Sequence, residues 1–309
     1  MTAASSRATP SGPSLTDRPA VAVIGLGAMG LPMATRLTST LPVTAFDPVA
    51  ERVSLAGQAG ARTAATPALA SRSADVVVLA VRTRDQVEAA LFGENGAAAA
   101  LDPSSVVVLT STVGVEGARQ VGARLAKQGV EFLDLPVSGG PARAGEGDLL
   151  AFRGGGGEAV RRAQPVVDLL ASTVAVVGPN PGDGQAMKVV NQLLAGVHIA
   201  AAAEALALAK GLGLDPQAAL DALGSGAAAS FMLANRGPRI VEALAGATPD
   251  VLSRVDIFVK DMGIVADAGR AAGVALPVAA AAEQLYRLGM LAGLGANDDS
   301  MIATLVDGG

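Results

Sequence analysis

The chain has 309 residues, 50% of them hydrophobic, with one histidine, no cysteine and a formal net charge of −5. That is core material for about two domains, and it excludes disulfides, thiol nucleophiles and cysteine-based zinc sites. With 2% aromatics and no basic block, a nucleic-acid platform and a polybasic membrane patch are both unexpected, and one histidine argues against any ordinary metal site.

Residues 1–17, "MTAASSRATPSGPSLTD", are rich in Ser, Thr, Pro and Ala and lack the apolar centre of a signal peptide, so a flexible tail is expected. Order begins abruptly at "PAVAVIGLGAMG". Residues 20–24 read as a short Val/Ile strand that runs into glycines and then a helix, "LPMATRLTST". A strand at 42–47, a helix ending near Gly60, a buried strand at 74–81 and a helix "RDQVEAALF" follow. The strand "SSVVVLTST", the helix "EGARQVGARLAKQG" and the strand "VEFLDLPV" continue the series, and "LLAFRGG" and "STVAVVG" extend the sheet. Continuous apolar strands alternating with helices predict an α/β Rossmann-type domain, a mostly parallel sheet covered on both faces.

The pattern changes at "GPNPGDGQAMK", a Gly/Pro/Asn/Asp run that makes a natural boundary. The reading is a nucleotide-binding domain over residues 18–182 and an all-helical domain over 183–309. Helices are expected at 185–210, 216–224, 230–245, 251–272 and 277–292. The first is unusually apolar and should be buried on most sides. No uninterrupted apolar run reaches the ~18 residues of a membrane span, so a soluble, cytoplasmic protein is expected.

"VIGLGAMG" places a G-x-G-x-x-G pattern directly after a strand and at the start of a helix, the context that gives it force. Gly25 permits the tight turn, Gly27 lets a pyrophosphate approach the backbone, and Gly30 lets helix and strand pack closely. Gly25, Gly27, Ala28, Met29 and Gly30 thus form the expected phosphate cradle, below the positive end of a helix. Asp47 ends the second strand, where a carboxylate accepts hydrogen bonds from the adenosine ribose and repels a 2′-phosphate. Pro48, Val49 and Ala50 bring no positive charge, and Arg52 falls on the following helix, so the expected cofactor is NAD rather than NADP. The ends of the next strands, Val81 within 79–83 and Thr110 within "TST", should line the cofactor. The alternative for these Thr and Ser residues is ordinary helix capping.

Four stretches in order, "GLGAMGLPMATRL", "DLPVSGGPARAGEGDLLAFRGG", "GQAMKVVNQLLAGVHIAAAAEA" and "VDIFVKDMG", resemble the β-hydroxyacid dehydrogenase family, 3-hydroxyisobutyrate dehydrogenase-like proteins. The resemblance covers nearly the whole chain after residue 18. It implies NAD-linked oxidation of a small hydroxyacid. The third and fourth stretches, with the tail "GANDDSMIATLV", look most like members that oxidise the 2-hydroxyl of a four-carbon sugar acid. The alternatives are a 3-hydroxyacid dehydrogenase and, in another class, a dinucleotide-binding regulatory protein without turnover.

The resemblance also implies roles. Ser138, Gly139 and Gly140 match the loop that binds the substrate carboxylate, and exposed backbone N–H groups suit that task. Lys188 matches the catalytic lysine, although on its own it reads equally as a lysine snorkelling from an apolar helix. Asn191 and Gln192, three and four residues on, share its side of the helix and can orient it or hold substrate. Most members carry asparagine where this chain has Gln192; the four-carbon-acid members share the Asn–Gln pair. Lys260 is implied to reach the cofactor and close the cleft, while its spacing also allows an ion pair with Asp256. Phe231 and Met232 resemble pocket-wall positions, and read equally as helical core. Asp298, Asp299 and Ser300 read as a cap. His198 lies ten residues from Lys188, ~15 Å along the axis, too far to share its proton transfer. Homodimers or homotetramers are implied, with no nucleic acid, membrane or metal.

Overall fold

The structure, a computed structural model, describes residues 18–308; the tail expected over 1–17 lies outside them. The first half alternates strand and helix: β1 (Val21–Ile24), α1 (Gly30–Thr38), β2 (Val43–Phe46), α2 (Ala50–Gln58), β3 (Arg62–Thr63) and α3 (Pro67–Ser71). Then come β4 (Val76–Leu79), α4 (Arg84–Phe92), β5 (Val106–Leu109), α5 (Val115–Ala126) and β6 (Glu131–Asp134). These six strands pair in parallel in the order β3-β2-β1-β4-β5-β6. The chain leaves β1 for β2 on one side and reaches β4 on the other, so the crevice above the carboxyl ends of β1 and β4 is the switch point where ligands bind in such sheets.

The expected strand at 130–137 is broken by Pro136 into β6 and β7 (Val137–Ser138). α6 (Gly140–Glu146), β8 (Leu149–Gly154), α7 (Gly157–Leu170) and β9 (Ala171–Gly178) complete the sheet. β8 runs antiparallel to both β6 and β7, and β9 pairs parallel with β8 at the far edge. Alternate residues serve the two faces. Val21, Val23, Val76 and Val78 enter the core under α1, α6 and α7, whereas Ala22, Ile24, Val77 and Leu79 enter the core under α3, α4 and α5. Because both faces are covered, every position must be apolar, which is why these strands read as unbroken runs.

The second half is helical: α8 (Asp183–Gly211), α9 (Pro216–Gly224), α10 (Phe231–Leu244), α11 (Val255–Ala272), α12 (Pro277–Leu291) and a final 3-10 turn, Asp299–Leu305. α8 is long and apolar enough to cross a membrane, but 56% of its most apolar window is buried in the protein; it is a core helix. Its interior face packs Ile199, Ala203 and Leu206 against α10, α11 and α12. At Gly196, α11 comes so close that a Cβ would collide with Met262 Sδ. The single tyrosine, Tyr286, is fully buried, stacks on Phe258 and donates to the Gly196 carbonyl. Asp298 caps the final turn, as its spacing suggested, and also pairs with Arg239, while Asp299 pairs with Arg236.

The start of α8 is tied to the sheet by a buried carboxylate. Asp134, at the end of β6, accepts from the Gly182 and Gln185 N–H groups at 2.9 and 3.0 Å. The Gln185 side chain donates to Asp134 and to the Ser111 carbonyl, and its oxygen accepts from the N–H groups of Val113 and Gly114. Burial pushes the Asp134 carboxyl up to about 6 against the downward pull of these bonds, so it is negative at neutral pH, at the positive end of the helix. Contact here is close: a Cβ on Gly184 would lie 2.5 Å from the Phe152 carbonyl oxygen. Gly184→Ala must therefore shift backbone, and it is expected to lower unfolding free energy by about 1–3 kcal/mol. Chemical denaturation measures this, and an unchanged midpoint would show that the contact yields freely.

Candidate active site

The glycine loop after β1 is shaped for a dinucleotide. Gly25 has φ +93°, and a Cβ on it would meet the Ala80 carbonyl at 2.7 Å and Val81 at 2.9 Å; Val81 thus borders the loop from the end of β4. A Cβ on Gly30 would collide with the Gly25 carbonyl, whereas one on Gly27 would meet nothing within 4 Å. Gly25 and Gly30 are fixed by packing, and Gly27 opens onto free space, as a pyrophosphate cradle requires. Ala28 and Met29 sit between them, at the head of α1.

Asp47 is buried, and its two oxygens accept from the Leu26 N–H at 2.7 Å and the Val49 N–H at 2.9 Å. The carboxylate therefore braces the glycine loop at the end of β2, with lone pairs left for a ribose. Arg52, on α2 as expected, sets its guanidinium 3.6 Å from the same carboxylate. At the end of β5, the Thr110 hydroxyl donates to the Leu79 carbonyl at 2.7 Å, joining β5 to β4 beside the switch point. Thr112 presents its carbonyl, which accepts from Lys260 Nζ at 3.0 Å.

Gly139 and Gly140 have φ of +146° and +83°, a turn that side chains resist, and they lead from Ser138 at the end of β7 into α6. All three residues are partly accessible, and a Cβ on Gly140 would meet nothing within 4 Å. At Gly140 the loop opens onto free space.

Lys188, Asn191 and Gln192 are brought together on α8. Lys188 Nζ donates to Gln192 Oε1 at 2.8 Å, and Asn191 Nδ2 donates to the same oxygen at 2.9 Å. Gln192 Nε2 donates to Asp261 Oδ2 at 2.5 Å, and Asp261 Oδ1 takes Lys260 at 2.5 Å. Lys188 is buried, and burial pulls its ammonium down to about 8, opposed by Asp261 and assisted by Lys260. The alternative Lys260–Asp256 pair that the spacing allows does not form, because Asp256 is held by Arg82, reaching from the end of β4, and by Arg254. His198 lies farther along α8, half-buried; Phe231 is 59% exposed at the start of α10, and Met232 packs on the helical core.

Three residues that matter here were not singled out from sequence: Asp134, Gln185 and Asp261. Asp261 carried a signal. It falls with Phe258, Met262 and Val265 on the buried stripe of α11, and a charge on such a stripe needs a partner.

A dinucleotide cradle, an open glycine loop and a buried lysine of lowered basicity together fit an NAD-dependent oxidoreductase of small hydroxyacids. Residues 20–178 match the NAD-binding domain of 6-phosphogluconate dehydrogenase, and residues 182–306 match the NAD-binding region of NADP-dependent 3-hydroxyisobutyrate dehydrogenase. The chain belongs to this 3-hydroxyisobutyrate dehydrogenase-like family. It is 43% identical to an L-threonate dehydrogenase of Cupriavidus necator over 289 residues, 93% of this chain and 96% of that one. An L-threonate dehydrogenase of Pectobacterium atrosepticum is 39% identical over 94% of each chain. The crystal structure of a Salmonella typhimurium 3-hydroxyisobutyrate dehydrogenase superposes with TM-score 0.86 at 35% identity, covering 93% of this chain and 99% of that one.

Asp47→Asn keeps an acceptor but removes the charge, freeing Arg52 for a 2′-phosphate. The ratio of kcat/KM for NAD over NADP is expected to fall about tenfold or more, ~1.4 kcal/mol, and an unchanged ratio would mean that Asp47 only braces the loop.

Proposed function

We propose that the protein oxidises L-threonate at its 2-hydroxyl to 2-oxo-tetronate, with Lys188 as the catalytic base. The carrying observation is Lys188 itself: buried, pulled down to about 8 and donating to an amide oxygen, it has, when neutral, an Nζ lone pair to accept the proton of a substrate hydroxyl. In this reading, residues 18–182 act as the cofactor domain and 183–309 as the substrate and assembly domain. The substrate carboxylate lies on the N–H groups of Ser138, Gly139 and Gly140. Lys188 takes the hydroxyl proton onto Nζ as the carbon–hydrogen bond breaks, and its charge then stabilises the oxygen. Gly25, Gly27, Ala28, Met29, Gly30, Asp47, Val81 and Thr110 would hold NAD, whose nicotinamide would supply the hydride acceptor. Asn191 and Gln192 orient Lys188 and meet the substrate's further hydroxyls, while Lys260 closes over the cofactor. The choice of acid is supported by the likeness to threonate dehydrogenases and by Gln192, whose reach differs from the commoner asparagine.

A base must be neutral to accept a proton. Oxidation at saturating substrate is therefore expected to rise with pH through about 8, whereas reduction of the oxo-acid falls over the same range. Lys188→Ala should lose about 10²–10⁴-fold in kcat while cofactor affinity, read from the fluorescence of bound NADH, holds. Full activity in this variant overturns the mechanism. A panel of L-threonate, D-threonate, D-glycerate, 3-hydroxyisobutyrate and 6-phosphogluconate with NAD and NADP tests the substrate. Preference for 3-hydroxyisobutyrate would favour the 3-hydroxyacid reading, and tight NAD binding without turnover would favour a regulatory protein.

We further propose a cytoplasmic homodimer or homotetramer. Exposed Met187, Val190 and Leu194 run along α8, and Leu288 and Leu291 lie exposed on α12, apolar surface of the kind that assembly covers. Sedimentation should give a mass of two or four chains, and a monomer at micromolar concentration contradicts the proposal.

A further inference from the structure

We propose that Asp261 is the positioning residue of this site: held between Lys260 and Gln192, its carboxylate fixes the direction of the Gln192 amide and so couples the cofactor-side lysine to Lys188. The inference rests on the reading of Lys188 as the base.

A carboxylate accepts hydrogen bonds and donates none, so Gln192 must turn its NH2 group toward Asp261. Its carbonyl then faces the other way, where Lys188 Nζ and Asn191 Nδ2 both donate to it. One buried negative charge thereby decides which end of a neutral amide meets the lysine. With a neutral partner in place of Asp261, either orientation of Gln192 can be satisfied, and one of them sets an NH2 group against the ammonium of Lys188. The bonds form one line from the sheet to the base: Thr112 carbonyl, Lys260, Asp261, Gln192, Lys188. The close crossing at Gly196 and Met262, one helical turn from Gln192 and one residue from Asp261, holds α11 near enough for the line to close.

Asp261 and Lys260, both on α11, are the charges that act on Lys188. Beneath the head of α8, Asp134 is engaged by Gly182 and Gln185. At the start of α11, Asp256 is paired with Arg82 and Arg254. Removing the Asp261 charge leaves Lys188 facing Lys260 without the anion that opposes burial, so its proton should leave at lower pH.

The test uses the full-length enzyme with L-threonate, or the best acid of the panel, and NAD. Asp261→Asn should lower kcat about 10²-fold, with a smaller change in KM, and move the acid limb of the kcat–pH profile down by about one unit. Asp261→Glu should restore part of kcat and return the limb toward wild type. Gln192→Leu severs the same link while leaving the Asp261 charge beside Lys260, and should lower kcat with less movement of the limb; if Asp261→Asn fails to fold, a Gln192→Leu enzyme with wild-type kcat overturns the inference. A folded Asp261→Asn enzyme with wild-type kcat and an unmoved limb overturns the inference, as does a loss of kcat with the limb unmoved and no rescue by glutamate, which marks a merely structural residue. An inactive wild type or an active Lys188→Ala enzyme overturns the catalytic reading instead, so the two failures are told apart.

Discussion

The arrangement of this protein depends on one buried carboxylate at the head of one helix. Asp134 ends a strand in the core of the sheet and is surrounded by N–H donors from the first turn of α8 and from Gln185. An anion there would be costly without partners. With three hydrogen bonds and the helix dipole it becomes the anchor of a 29-residue helix. Lys188 follows Gln185 by three residues, nearly one turn along the same face. Its position relative to the sheet is inherited from that anchor, and Gly184 permits the contact by lacking a side chain.

The site combines buried charges of both signs with amides that transmit direction between them. A lysine is a demanding choice of base, because its ordinary basicity is about three units above neutrality. Burial removes much of that excess, and the amide oxygen of Gln192 supplies an acceptor without adding a negative charge beside it. The anion sits one residue farther out, on α11, where it also neutralises Lys260. Lys188 is thus tuned by an apolar helix and held by a neutral intermediary.

Much of this was legible in the sequence. Strands covered on both faces must be apolar throughout, so β1, β4 and β5 stand out as Val/Ile/Leu runs, and the glycine loop is set by steric demands that show in the residue types themselves. The helix ends of the second half agree within a few residues because Gly and Pro punctuate them. The edge of the sheet was less legible. α7 begins in a run of four glycines, which hides it, and the antiparallel course of β8 is decided by pairing across distant sequence. Lys260 shows the same limit: its i−4 neighbour Asp256 was the obvious partner, yet Arg82, 174 residues away, takes that acid. Asp134 and Gln185 looked like ordinary polar residues, since burial by other elements leaves no local trace.

The anchoring of α8 also determines which parts travel together. Lys188 is fastened through its own helix to the sheet, whereas Asp261 and Lys260 ride on α11, whose links to the sheet are Thr112, Arg82 and the crossing with α8. Any displacement of α11 relative to the head of α8 would therefore change the surroundings of Lys188 without moving Lys188 itself.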